Sequence, residues 1–208
     1  MTLLHTIFLV AITAEAMSGA IMGMRREMDL FGICLIGTVT GLGGGTVRDV
    51  LLGHYPLTWI ENPEYLTFTV GAAFVTAFIA RFLHHLRQVF LLVDGLGLVA
   101  FTIIGCNVGL DMDAHPSIAV LAGVITGIFG GLLRDVLCNE VPLVLRRDLY
   151  ATVALFTGLL YMLLLWLQVS ASLASLIALG FGFTFRVLAI RYGWGLPSFT
   201  GEGIRGFE

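Results

Sequence analysis

Thr40-Gly41-Leu42-Gly43-Gly44-Gly45-Thr46-Val47-Arg48-Asp49-Val50-Leu51 returns 86 positions later as Thr126-Gly127-Ile128-Phe129-Gly130-Gly131-Leu132-Leu133-Arg134-Asp135-Val136-Leu137. The same offset matches Pro56-Leu57 to Pro142-Leu143. Each copy sets glycines and an Arg-Asp pair inside a strongly apolar stretch. Lipid does not tolerate such a segment unless other parts of the protein cover it.

The surrounding composition is that of a membrane protein. Of 208 residues, 58% are hydrophobic and 12% charged, with mean hydropathy +0.96. A soluble chain is nearer roughly 45–50% apolar and about 25% charged. The excess runs along the whole chain, which excludes a soluble domain carrying one anchor. All 11 basic residues are Arg. Met1 to His5 lacks the basic stretch of a signal peptide, and the apolar run that follows is long enough to span. No lipidation or retention signal is visible. Cys34, Cys106 and Cys138 form no CxxC and no zinc spacing, so they read as small packing residues, with no metal or cofactor expected. No nucleic-acid partner is expected either. Both soluble readings of the glycines fail. There is no Lys for a P-loop, and Thr46 replaces the third glycine of a dinucleotide fingerprint.

A span needs about 20 apolar residues, and seven candidates appear: Leu3–Met24, Leu30–Leu52, Tyr65–Phe82, Val89–Leu110, Ser117–Cys138, Leu149–Leu167 and Ala171–Ile190. Links one, three and five carry Arg25, Arg26, Arg81, Arg87, Arg146 and Arg147, and the C-terminal flank adds Arg191 and Arg205. Links two, four and six carry no Arg. The positive-inside rule then puts the N terminus outside and the C terminus in the cytoplasm. Aromatic residues near span ends (Tyr55, Trp59, Trp166, Tyr192, Trp194) read as interface belts. His84-His85 reads as a solvated cytoplasmic pair, and Asp111-Met112-Asp113 as a hydrated turn.

The expected fold is therefore an all-α membrane protein, a single transmembrane domain of seven helices. Repeat one covers about 3–82, repeat two about 89–167, and a seventh helix about 171–190. Three spans per repeat make the second copy enter from the opposite side, so the repeats are inverted, an arrangement that places transport sites near the midplane. Gly41, Gly43, Gly44 and Gly45 are four glycines in five positions, and each costs about 1 kcal/mol of helix propensity relative to Ala. A local break or kink is expected there and at Gly127, Gly130 and Gly131, with freed backbone groups facing protein or water. Against this, Gly41–Gly45 and Gly127–Gly131 both read GxxxG, a helix-packing face. Packing alone does not call for a buried guanidinium, and the repeated Arg-Asp pair favours a place on a transport path.

Three Arg lie inside spans: Arg48, Arg134 and Arg186. Intramembrane charge is a functional-site hypothesis by default. Arg48-Asp49 and Arg134-Asp135 are sequence neighbours, which do not face each other on a helix, so each Arg is expected to find another partner. At 1.5 Å per residue, Arg48 lies about 10 Å outward of the midplane and Arg134 about 10 Å inward. The expected inner cluster is Glu15, Asp94, Arg134, Asp135 and Arg186, and the outer one only Arg48 and Asp49. At the 86-residue offset Phe8 stands where repeat two has Asp94, and Phe101 where repeat one has Glu15. The two mouths are thus expected to be unequal. Structural ion pairs that clamp helices are the competing reading.

The doubled Gly-Gly-x-x-Arg-Asp motif, Asp29-Leu30-Phe31-Gly32, Asp94-Gly95-Leu96-Gly97 and Trp194-Gly195-Leu196-Pro197 resemble the bacterial branch of the trimeric intracellular cation (TRIC) channels. The resemblance spans nearly the whole chain. It implies a homotrimer, a pore in each protomer for K⁺ or other monovalent cations, and kinked second and fifth spans lining it. That carries onto Gly41, Gly43, Gly44, Gly45, Gly127, Gly130 and Gly131, with Arg48 and Arg134 as the motif arginines. Glu15 and Phe8 depart from the family pattern and mark a subgroup similar to bacterial inner-membrane proteins also described as glycine transporters. Two functions stay open: a K⁺-permeable channel, and a carrier of glycine or another small amino acid. The expected setting is the bacterial inner membrane, with lipid around the protein. An intramembrane enzyme is disfavoured, since no nucleophile-base pair or metal-ligand spacing appears.

Overall fold

The computed structural model describes residues 3–82, 86–146 and 149–197. His84, His85, Arg147, Arg205 and the Arg81 side chain lie outside the described residues.

The described chain is all helix and turn, with no strand. Its helices are α1 (Leu3–Arg25), α2 (Leu30–Leu52), α3 (Thr58–Glu61), α4 (Glu64–Ile79), α5 (Leu86–Asp111), α6 (Pro116–Leu137), α7 (Tyr150–Trp166) and α8 (Ala171–Tyr192). Five of these (α1, α2, α5, α6, α8) are long and apolar enough to cross a membrane, while α4 and α7 are shorter apolar helices. Each of the seven coincides with one span read from the sequence, to within a few residues.

Ends follow local chemistry. Asp29 caps α2 by accepting from the Gly32 amide at 2.7 Å. At the other end Gly53 takes φ +69°, a left-handed conformation that glycine adopts without a Cβ penalty. His115 caps α6, with Pro116 opening it, where a missing N–H costs nothing.

Helices α1 and α5 are buried over most of their length, the others mainly along one face. Helix α1 packs on α2 and α4, and α5 packs on α6 and α7. The two sets meet through α1 against α5 and α2 against α6, and α8 lies on α5 and α7.

Glycines set these approaches, and their contacts repeat at the 86-residue offset. Gly19 of α1 faces Gly37 and Thr40 of α2, while Gly105 of α5 faces Gly123 and Thr126 of α6. Gly41 abuts the Ile12 carbonyl, and Gly127 the Leu98 carbonyl. Across the centre Gly44 packs on the Thr126 carbonyl, and Gly130 on the Thr40 carbonyl.

The expected break is absent. Both α2 and α6 run unbroken through their glycines, so these glycines free no backbone groups. In lipid a released N–H or C=O finds no water, which opposes a break. The close crossing of the two helices makes up the propensity cost through van der Waals contact. Gly41, Gly43, Gly44, Gly127 and Gly130 lie in close packing contacts, as the GxxxG reading expects.

Candidate functional site

The α2–α6 crossing places one Arg-Asp motif on each side of the molecular centre. Arg48, Asp49, Arg134 and Asp135 are all nearly inaccessible, as are Glu15, Asp94 and Arg186.

On the α2 side, Arg48 donates from Nε and Nη2 to Asp49 Oδ1, at 2.9 and 2.6 Å. Its Nη2 also donates to Thr58 Oγ1 at 3.1 Å. Asp49 Oδ2 accepts from the Thr58 amide at 2.9 Å and from Thr58 Oγ1 at 2.8 Å. His54 Nδ1 lies 3.3 Å from Asp49 Oδ1. A cavity of about 20 Å³ adjoins Arg48, with Phe8, Gly45, Trp59 and Phe101 among its walls. That is room for one water.

The α6 side repeats the motif with richer surroundings. Arg134 Nε donates to Asp135 Oδ1 at 2.8 Å, and Nη1 donates to Asp94 Oδ1 and Ser18 Oγ. Asp135 Oδ2 accepts from the Leu143 amide at 2.8 Å. The Phe90 ring lies 4.7 Å from the Arg134 guanidinium, and the Tyr150 ring 4.9 Å from that of Arg186. Both distances suit cation–π attraction.

The expectation that neighbouring Arg and Asp cannot pair is overturned in both copies. Their Cβ atoms point about 100° apart, but Arg spans that gap on a long, flexible side chain. In a low-dielectric setting an ion pair that also satisfies hydrogen bonds outweighs the rotamer cost. No Arg of one copy pairs with the Asp of the other among the described residues, as the depth argument expected.

The expected inner cluster assembles, though unevenly. Asp94, Arg134 and Asp135 join directly. Glu15 lies within electrostatic reach of Asp94, Arg134 and Asp135, and Arg186 reaches the cluster through Tyr150. Both Glu15 oxygens, Asp94 Oδ2, Arg134 Nη2, the Tyr150 hydroxyl and all three Arg186 nitrogens are buried with no hydrogen bond among the described residues. The α2-side motif leaves no such atom.

Sequence reasoning missed Ser18, Thr58, His54, Phe90 and Tyr150. The paired Pro56-Leu57 and Pro142-Leu143 carried the signal for one of them. Each opens a helical turn, α3 or the 3₁₀ turn Leu143–Leu145, whose first amide caps the motif Asp. Trp59 corrects the interface-belt reading: its indole N–H donates to Thr46 Oγ1 at 3.1 Å beside Arg48. Tyr55, Trp166, Tyr192 and Trp194 are exposed, as a belt requires.

A helical bundle with paired charges buried at a glycine-packed crossing defines a multi-pass membrane protein with a polar centre. The family model described as "Glycine transporter" matches residues 5–81 and 91–166, two stretches that begin 86 positions apart. The UPF0126 inner membrane protein YadS of Escherichia coli K12 is 35% identical over 200 residues, covering 95% of this chain and 97% of that protein. A UPF0126 membrane protein of Vibrio cholerae is 36% identical, covering 96% and 84%. Among solved structures, the TRIC trimeric intracellular cation channel orthologue from Rhodobacter sphaeroides superposes with TM-score 0.89 at 35% identity, over 93% of this chain and all of that one. Another TRIC cation channel gives TM-score 0.85 at 32% identity, over 94% and 97%. The chain belongs to the bacterial TRIC family, the group that includes the UPF0126 membrane proteins.

Proposed function

We propose that this protein is a K⁺-permeable, monovalent-cation channel of the bacterial inner membrane, a homotrimer with one path in each protomer. Seven helices span, three plus three in inverted orientation with α8 added, the N terminus outside and the C terminus cytoplasmic. The path runs along the α2–α6 crossing. Gly43, Gly44 and Gly130 bring the two helices together there, Gly41 and Gly127 seat α2 on α1 and α6 on α5, and Gly45 and Gly131 lie beside Arg48 and Arg134. Arg48, Asp49, Arg134 and Asp135 guard its two sides, with Glu15, Asp94 and Arg186 on the α6 side. No step of this reading is catalytic.

One observation carries it: two Arg-Asp motifs buried at a single glycine crossing, in a chain that superposes closely on TRIC cation channels. The reciprocal contacts Gly44–Thr126 and Gly130–Thr40 support a pseudo-two-fold relation between the halves. Such symmetry, with a site near the midplane, is the hallmark of transport folds.

A second reading, a carrier of glycine, has its own support. The α6-side cluster offers unpartnered atoms of both signs, the Glu15 oxygens and Asp94 Oδ2 against Arg134 Nη2 and the Arg186 nitrogens. A zwitterion would satisfy both, and the matching family model carries the description glycine transporter. Purified protein in liposomes separates the two when K⁺ flux and labelled-glycine uptake are measured side by side. Saturable glycine uptake without K⁺ flux would reject the channel.

A further inference from the structure

Among the described residues, Glu15 is the one buried acid that no donor reaches. Its exposure is 1%, and both carboxyl oxygens are sealed from solvent without a hydrogen bond among the described residues. Asp94 accepts from Arg134, and Asp135 accepts from Arg134 and the Leu143 amide. Gly97 of α5 presses so closely on the Glu15 carboxyl that a Cβ there would overlap it. No ion or water fits at those oxygens, whereas a proton needs no space.

Charged and titratable groups gather around Glu15 from several helices. Helix α5 brings Asp94, and α6 brings Arg134 and Asp135. Tyr150 opens α7, and Arg186 of α8 stands over the Tyr150 ring. Helices α2 and α4 bring no charge to Glu15: Arg48 and Asp49 satisfy each other, Tyr65 packs against Phe8 and His5, and Glu64 at the start of α4 is exposed. Arg134 bonds both carboxylates, Asp94 and Asp135, and Arg186 over Tyr150 adds the second guanidinium of the cluster. The set is neutral only if Glu15 carries its proton. An unpaired ionised carboxylate is among the costliest groups to bury, and protonation is the usual escape.

We infer that Glu15 is a proton-binding site, occupied while its oxygens are sealed and emptied when the path opens to a monovalent cation. In that step the Glu15 O–H bond breaks, the proton passes to water in the opened path, and the carboxylate takes the entering cation as its counter-ion. Charge at the site is unchanged. The exchange belongs to one side alone, since the matching position in the other half is Phe101. The cation's entry rests on the channel reading; the proton site does not.

The test uses full-length protein in liposomes. Infrared spectra at neutral pH should contain a protonated-carboxyl band that Glu15→Gln removes and Glu15→Asp retains at a shifted position. K⁺ flux should rise with pH by up to about tenfold per unit, the limit for one proton. Glu15→Gln, which mimics the protonated form, should hold flux low and independent of pH, while Glu15→Asp keeps the dependence. No acid band in the wild type, or a band that Glu15→Gln leaves in place, overturns the proton site. The expected band without any K⁺ flux leaves the proton site standing and rejects the channel.

Discussion

Alanine at Gly44 and alanine at Gly45 are chemically identical changes one position apart, and they should behave in opposite ways. Both replace glycine within an unbroken helix, so each gains about 1 kcal/mol of helix propensity. A Cβ on Gly44 runs into the Thr126 carbonyl of α6, which is backbone and cannot swing aside. A Cβ on Gly45 meets only Arg48 Nη2, at 3.7 Å, an ordinary contact. Overpacking a tight interface costs about 1–3 kcal/mol. Gly45→Ala should therefore stabilise by up to about 1 kcal/mol, while Gly44→Ala nets from near zero to about 2 kcal/mol of loss. Denaturation in detergent, followed by helix circular dichroism, reads the difference. Gly130→Ala, which meets the Thr40 carbonyl, should match Gly44→Ala. Equal stability of the Gly44 and Gly45 variants, or a less stable Gly45 variant, would refute the claim that the glycines serve the crossing.

Arg134→Met should destabilise by about 3–5 kcal/mol, because it strands Asp94 and Asp135 as buried charges; denaturation against the wild type measures this. The double change Arg134→Met with Asp94→Asn should recover part of that loss, and a double-mutant cycle gives the coupling. Thr58→Val removes two hydrogen bonds from the Arg48–Asp49 pair. It should cost about 1–3 kcal/mol in the same assay and leave the Arg134 side intact. Phe8→Asp puts a carboxylate at the position that matches Asp94 and beside the Arg48 cavity, and should raise K⁺ flux through reconstituted liposomes.

The helices and their order were legible because apolar run length alone marks a span, and alternating Arg marks the links. The ladder of glycine contacts was implicit in the 86-residue offset: Gly19–Thr40 and Gly105–Thr126 are one contact written twice. Helix α3 was not legible, since four residues carry no periodicity. The membership of the Arg134 cluster was foreseen from depth, as Asp94, Asp135, Glu15 and Arg186 all sit together there. Two local judgements failed for one reason each. Helical wheels describe Cβ directions, whereas Arg48 and Arg134 reach by side-chain length to Asp49 and Asp135. Propensity scales describe helices in water, whereas lipid opposes unwinding at Gly43–Gly45. Tyr150 lacked any signal, because a tyrosine opening a span reads as an interface anchor until Arg186 is seen above its ring.

The motif arginines stand at the centre of this account, one on each side of a single crossing. Cation flux through liposomes carrying the wild type and the Arg48→Gln, Arg134→Gln double variant tests their role most directly. Retained helix content and an unchanged oligomeric mass would verify that the variant is folded. The account predicts K⁺ flux in the wild type and a change of at least about tenfold in the folded variant, the effect of about 1.4 kcal/mol on a permeation barrier. Flux and selectivity unaltered by losing both guanidinium groups would contradict it.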